Sequence, residues 1–288
     1  MKLILPKYLN GNSLEQTLNC NKNNQKAYQS IDMSNIEFIF PYGLNMLIHI
    51  FETSDTINEI ILPSSKIMSY LIRMDFFKNL ELTQDLSEQT RYEIKLHDRG
   101  KNSDNKTLLE LTRIGELKDT INVIGKIQGK IQEILKLQLN YSDTEVNMFK
   151  KIFVELCQNI TRHSNAHGYA SVQYIPYYTT RKSETYYNPL KIGITDIGMG
   201  FAKTYSPQMA DKEALIRAVI ENKTSKSSGG LGLKHIKGYI KEFGGEIYIR
   251  TGTAAYYQSG KGGEYELMED LAFFPGSHID VTLPTKNI

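Results

Sequence analysis

The chain has 288 residues and a formal net charge of +2, with 34 Lys and Arg scattered among 32 Asp and Glu. This length accommodates two domains with separate cores. So even a charge balance leaves no broad basic field for nucleic acid or an anionic membrane, and nucleic acid is not indicated as a partner. Only Cys20 and Cys157 occur, which excludes a disulfide framework. No apolar run reaches the length of a membrane span, and the opening Met-Lys-Leu-Ile-Leu-Pro is too short for a signal peptide. The expectation is therefore a cytoplasmic protein without a membrane partner.

The alternating run 36–40 predicts a strand, and 41–51, opened by Pro41, predicts a helix. A second strand is expected at 57–62, a second helix at 64–74 and a third strand at 92–96. Strands alternating with helices argue for a small α/β domain over 1–113. Residues 98–107 are polar and glycine-containing, as in a surface loop or linker. Over 108–139 the apolar residues Ile121, Ile124, Ile127, Ile131, Ile134, Leu135 and Leu137 fall at helical spacing. Such a helix either packs on a neighbouring sheet, its ordinary role, or forms the seam of a homodimer.

Three pieces further on carry chemistry. Glu155 and Asn159 stand four residues apart in Glu-Leu-Cys-Gln-Asn, so in a helix one face presents a base and a metal ligand. Cys157 between them reads as a small space-filling hydrophobe. A strand at 190–195 ends in Asp196, a lone carboxylate able to accept from an exocyclic amine, before a turn containing Gly198 and Gly200. Gly229, Gly230, Leu231, Gly232 and Leu233 then precede a segment with helical spacing at 234–240, so backbone N–H groups and a helix N-terminus suit phosphate. Each piece alone is also compatible with an ordinary turn or loop; together they describe an ATP site.

With a fourth piece, Pro-Gly-Ser-His-Ile-Asp-Val-Thr-Leu-Pro at 275–284, these residues resemble the GHKL superfamily of gyrase, large heat-shock chaperones, histidine kinases and MutL proteins. The likeness covers about 143–285. It implies a Bergerat ATP-binding fold over 114–288, an α+β sandwich with helices on one face of a mixed sheet. It also implies ATP and magnesium as ligands. By that likeness Glu155 orients or deprotonates the attacking group, Asn159 binds magnesium, Asp196 reads adenine, and Gly198 and Gly200 let the backbone pass the nucleotide. The glycines at 229–232 end a lid over the phosphates that begins at Phe201, with a helix expected at 211–221 and a flexible run at 223–228. Ser277 stands where many members carry a Thr beside the adenine-reading Asp.

His163 follows Asn159 by four residues, as in the family's small serine kinases, and with Arg162 is placed near the phosphates; it reads equally as a residue capping or packing at the helix end. Lys226 and Lys234 are candidate phosphate contacts or solvated lysines. A separate resemblance, at 31–44, is to the strand-to-helix entry of STAS domains; the acceptor serine of those domains is replaced by Pro-Tyr-Gly, which implies a docking domain without that phosphorylation site.

The phospho-acceptor helix of a sensor histidine kinase has no match: His97 lies in a polar segment and 108–139 contains no His. Autophosphorylation on His is therefore disfavoured. The chain ends four residues after Pro284 without a transducer region like that of the DNA-processing relatives, so a separate protein partner is expected through the N-terminal part or the lid. Two functions remain: hydrolysis of ATP or phosphoryl transfer to a partner Ser or Thr, and a nucleotide-gated switch with little turnover.

Overall fold

The structure, a computed structural model, describes residues 1–22, 28–54, 57–82, 84–98, 107–176, 178–179, 186–223, 232–260 and 264–286. The chain runs through β1 (Lys2–Ile4), β2 (Tyr8–Leu9), α1 (Gly11–Cys20), β3 (Ser30–Asp32), β4 (Phe38–Ile39), α2 (Pro41–Thr53), β5 (Glu59–Ile61), α3 (Ser65–Arg73), α4 (Phe76–Leu80) and α5 (Glu88–His97). It continues with β6 (Thr107–Ile114), α6 (Leu117–Gln132), α7 (Asp143–Asn159), β7 (Gly168–Tyr174), the short β8 (Tyr178–Thr179) and β9 (Tyr186–Tyr187), and β10 (Leu190–Asp196). Last come α8 (Gly200–Tyr205), α9 (Asp211–Leu215), α10 (Gly232–Glu242), β11 (Glu246–Gly252), β12 (Ala254–Ser259), β13 (Tyr265–Met268) and β14 (Phe274–Leu283).

A seven-stranded sheet in the order β13-β12-β11-β14-β10-β7-β6 organises the molecule. Every pairing in it is antiparallel, which corrects the expected mixed sheet. A short turn joins β11 and β12, and β14 returns between β11 and β10, so no parallel crossover is needed. Among the described residues, parallel pairing is confined to the small sheets β1-β3-β5 and β2-β4 near the N-terminus. The architecture is α+β.

Alternation along the strands separates two faces of different character. Ala170, Val172, Ile192, Ile194, Ile247, Ile249, Ile279 and Val281 form one apolar face, which buries against α6, α7 and α10 through Ile127, Ile131, Phe149, Phe153, Ile236 and Ile240. Burial of each large aliphatic side chain there is worth about 1.5–3 kcal/mol. Ser142 begins α7 with a reciprocal cap, its side chain accepting from the Glu145 N–H while Glu145 accepts from the Ser142 N–H.

The opposite face carries Tyr169, Ser171, Gly193, Thr195, Tyr248, Arg250 and His278, and helix α2 lies over it. Ser171 Oγ donates to Asn45 Oδ1 at 2.6 Å, and Asn45 Nδ2 donates to the Tyr169 carbonyl at 3.0 Å. Arg250, fully buried, pairs with Glu15 of α1 at 2.5 Å and also donates to the carbonyls of Gly252 and Ala272. Helices α6, α7 and α10 of the part expected as the ATP-binding fold thus share one face, and the other face is covered by α1 and α2 of the N-terminal part. One apolar cluster runs from Leu3 to Leu86 and takes in Leu111, Tyr169 and Phe274 of the large sheet and Ala272 just before β14. β6, which ends at the expected domain boundary, is the outermost strand of that sheet beside β7.

Two further expectations are corrected. Residues 92–96 are helical within α5: Ser87 caps that helix by accepting from the Thr90 N–H at 3.1 Å, with Glu88 in the first turn and Lys95 and His97 in the last. Tyr92 and Leu96 stand one turn apart and exposed, so their alternation never meets a sheet. The helix expected over 108–139 begins only at Leu117, because 107–114 pairs with β7. Asp119 Oδ2 accepts from the N–H groups of Gly115 and Glu116 at 2.9 and 2.8 Å and so starts the helix there. Of the apolar positions named on it, Ile127, Ile131, Ile134 and Leu135 are buried, whereas Ile121 and Leu137 are exposed.

Gly193 marks the crossing of α2 over the sheet: a Cβ on it would come within 2.7 Å of the Pro41 carbonyl carbon and the Tyr42 nitrogen. Both obstacles are backbone, so the helix itself must shift. Gly193→Val is expected to cost about 3 kcal/mol or more in urea unfolding, whereas Gly125→Ala, in open space on α6, stays neutral or stabilises by up to about 1 kcal/mol.

Candidate functional site

Helix α7 brings Glu155 and Asn159 to its C-terminal end, both half-buried. The helix does not stop at Asn159 but widens into a π-helical turn, Ile160–Ser164, and ends where Asn165 takes a left-handed φ of 55°. Arg162 in this turn stands 3.8 Å from Glu155 Oε2, a long ion pair with a half-exposed guanidinium. His163 lies in the same turn, and its side chain is outside the described residues.

Ser164 connects this helix to the Asp196 turn. Its hydroxyl donates to the Ile160 carbonyl at 2.6 Å, and its carbonyl accepts the Met199 N–H at 3.0 Å. A Cβ on Gly198 would sit 2.0 Å from the Ser164 oxygen, so glycine at 198 is required by packing alone. Gly200 adopts φ +69° at the start of α8, and its neighbour Phe201 donates its N–H to Thr251 Oγ1 at 3.0 Å.

Asp196 ends β10 with only 6 % of its surface exposed, and Oδ1 accepts the Gly198 N–H at 2.8 Å. The Ser277 backbone amide also bonds its carboxylate. Among the described residues Asp196 makes no ion pair. Burial pushes its carboxyl up to about 7, against the lowering effect of those two amides. From the other side Gly276, at φ +89°, approaches so closely that a Cβ would lie 1.8 Å from the Asp196 carbonyl oxygen. That carbonyl accepts from His278 Nε2 at 3.0 Å, and His278 is held neutral, first by burial and then by Arg250 and His49.

Three of the four sequence pieces thus meet at one place: the α7 end, the 196–200 turn and the 275–278 segment. Most of the fourth, the glycine-rich piece, lies outside the described residues. Gly229, Gly230, Leu231 and Lys226 fall outside the described residues; Gly232 begins α10, Leu233 packs against the main core and Lys234 is exposed. The segment expected as a lid is described over 201–223 and is fastened down there. Asp211 Oδ2 accepts from the Thr253 N–H at 2.9 Å, Lys212 pairs with Glu269 at 2.6 Å, and Ala214, Leu215 and Val219 are buried. The helix expected at 211–221 forms as α9 and a π-helical turn, Ile216–Ile220.

Ser164, Thr251 and a group on the covered face of the sheet carry no signal in the sequence, and Gly276 and His278 stand in the piece at 275–284 without a role assigned to them there. His49, Glu52, His167 and Tyr169 form a hydrogen-bonded cluster around the Glu52 carboxylate, whose side chain is 3 % exposed. A lone histidine in a helical apolar run gives no sign of this, because Thr195, which bonds it, and His167 and Tyr169, which share Glu52 with it, lie more than a hundred residues away. Elsewhere, between β6 and α6, an open cleft of about 430 Å³ is lined by Thr112, Arg113, Asp119, Asn122 and Lys126, and includes none of the expected site residues. The described residues include no group of three or more His, Cys, Asp or Glu able to hold a metal, and no helix long and apolar enough to cross a membrane. Comparison of the chain with protein-family models and with curated proteins finds no match.

The raised Asp196 carboxyl has a consequence for folding. Its protonated form is favoured in the folded state, so its stabilising effect is complete below the unfolded value and is lost as pH rises through about 7. Between pH 5 and pH 8 this group is expected to remove on the order of 2 kcal/mol of stability. Urea unfolding of wild type and Asp196→Asn at the two pH values checks this: the variant gains on wild type by that amount at pH 8.

Proposed function

We propose that this chain binds ATP with magnesium at the meeting point of α7, the 196–200 turn and the 275–278 segment, and hydrolyses it or passes its γ-phosphoryl group to a partner protein. The observation that carries the reading is the Asp196 carboxylate, buried with only backbone amides as partners, beside a helix end that presents Glu155 and Asn159. A buried acceptor of this kind is completed by a neutral donor, and the exocyclic amine of adenine is one. The order of these pieces along the chain and their resemblance to the GHKL superfamily point the same way.

In this reading Asp196 and the Ser277 backbone orient the base, and Ser164, Gly198 and Gly276 hold that turn rigid. Asn159 would hold magnesium through its carboxamide oxygen. Magnesium supplies charge neutralisation at the phosphates. Glu155 accepts a proton from, or aligns, the attacking water or hydroxyl, and Arg162 lies close enough to hold that carboxylate's orientation.

A second reading, a nucleotide-gated switch with little turnover, is favoured by one contact: the N-terminal helix α2 bonds Thr195, the residue before Asp196, through His49 Nε2 at 2.9 Å. Nucleotide at Asp196 would then be felt in the N-terminal part without any chemistry.

Binding and turnover with magnesium separate these. Glu155→Ala is expected to lower turnover about 10²- to 10⁴-fold with binding kept, and Asn159→Ala to abolish the magnesium dependence. Asp196→Asn is expected to weaken binding about tenfold to a hundredfold, since its amide group presents a donor where the base amine needs an acceptor. A wild type that binds and does not turn over supports the switch. Because the ionised carboxylate accepts, affinity falls about tenfold from pH 8 to pH 6 as Asp196 protonates around 7, and calorimetry across that range shows no such fall if Asp196 is not at the base.

A further inference from the structure

Glu52 stands at the C-terminal end of α2, and its carboxylate is the common acceptor of three donors. His49 Nδ1 lies 2.9 Å from Oε2, while His167 Nε2 at 2.9 Å and the Tyr169 hydroxyl at 2.8 Å reach Oε1. Burial works to raise this carboxyl, but the hydrogen bonds from His167 and His49 outweigh it and hold it at about 2. With its Nδ1 proton committed to Glu52, neutral His49 has Nε2 free to accept, and the Thr195 hydroxyl donates to it at 2.9 Å. This acid–imidazole–hydroxyl chain has the connectivity of a catalytic triad. Thr195 is 1 % exposed and His49 fully buried, so no substrate reaches the hydroxyl and the chain is not a nucleophile site.

Its two ends have a common destination. Thr195 immediately precedes Asp196, and His167 immediately precedes Gly168, the residue that pairs with Asp196 across β7 and β10. The His167 carbonyl accepts the Ile197 N–H at 3.4 Å, so His167 grips the residue after Asp196 as well. His49 also stacks at 6.0 Å on His278, whose Nε2 contacts the Asp196 carbonyl. Arg113 of β6 bonds Tyr169 from the outer side of the cluster. One carboxylate from the N-terminal part thus braces the strand residues on both sides of Asp196, with no contact to the nucleotide site itself.

We propose that Glu52 is the positioning residue of the base end of the site, fixing Asp196 through His49 and Thr195 on one strand and through His167 on the other. This inference rests on the nucleotide reading above. Coupling of this kind is reciprocal: adenosine seated at Asp196 alters the environment of His49 and His167, and a change imposed on α2 alters affinity at Asp196.

The experiment uses the full chain. ADP affinity is measured by calorimetry, corrected for folded fraction, in wild type, Glu52→Gln and Glu15→Gln; the last weakens a buried ion pair in the same layer of helices without touching the cluster. Glu52→Gln is expected to bind ADP about tenfold more weakly and Glu15→Gln to match wild type. In parallel, the imidazole resonances of His49 and His167 in the wild type are followed by NMR as adenosine is added, and both are expected to shift. Unaltered ADP affinity in Glu52→Gln, an equal loss in Glu15→Gln, or imidazole signals indifferent to adenosine each overturns the proposal. If Glu52→Gln does not fold, His167→Gln, at a partly exposed position, takes its place in the affinity comparison. A wild type that binds no ADP removes the nucleotide reading itself, a result distinct from binding that Glu52 leaves unchanged.

Discussion

The covered face of the large sheet is polar, and this constrains the molecule more than any other feature. Arg250, Thr195, Ser171 and His278 are all buried there, and each requires a partner because no water reaches them to replace one. For Arg250, Ser171 and Thr195 the partners come from two helices near the N-terminus, Glu15 of α1 and Asn45 and His49 of α2, with Glu52 behind His49, whereas His278 bonds the carbonyls of Asp196 and Pro275. Buried ion pairs of this kind contribute little net stability, but leaving either member alone costs several kcal/mol. The N-terminal helices therefore have one way to sit on the sheet, and Gly193 admits them at the closest point.

Asp196 lies between this polar layer and the apolar one. Behind it are His49, His278 and the Glu52 cluster; beside it are the π-helical end of α7 and the α8 start. Gly198 and Gly276 permit approaches of backbone to backbone that any side chain would block, and they pack the turn tightly around a carboxylate that pays a desolvation penalty. A buried acidic group kept near neutral titration, in a turn held from several directions, is the kind of arrangement that binding sites preserve at some cost to stability.

The site was legible in parts. Glu155 and Asn159 on one helix, a strand ending at Asp196 and a helix after Gly232 all follow from local spacing, and all occur. At 92–96 a five-residue alternation fits both periods, and the Ser87 cap decides for helix. At 107–114 the apolar spacing gave way to pairing with β7, a contact made across more than fifty residues of chain. Local pattern cannot weigh such a partner.

Sequence by itself placed Glu155 and Asn159 together on a helix and Asp196 at the end of a strand, because periodicity and glycine turns act over a few residues. It determined the charge balance and the lack of a disulfide framework for the same reason: these are properties of composition. Tertiary structure alone decided that the large sheet is antiparallel, that helices cover both its faces, and that Glu52 and His49 stand behind Asp196. Those outcomes depend on pairing and desolvation between segments far apart in the chain, and a buried carboxylate declares its partners only once the layers have closed around it.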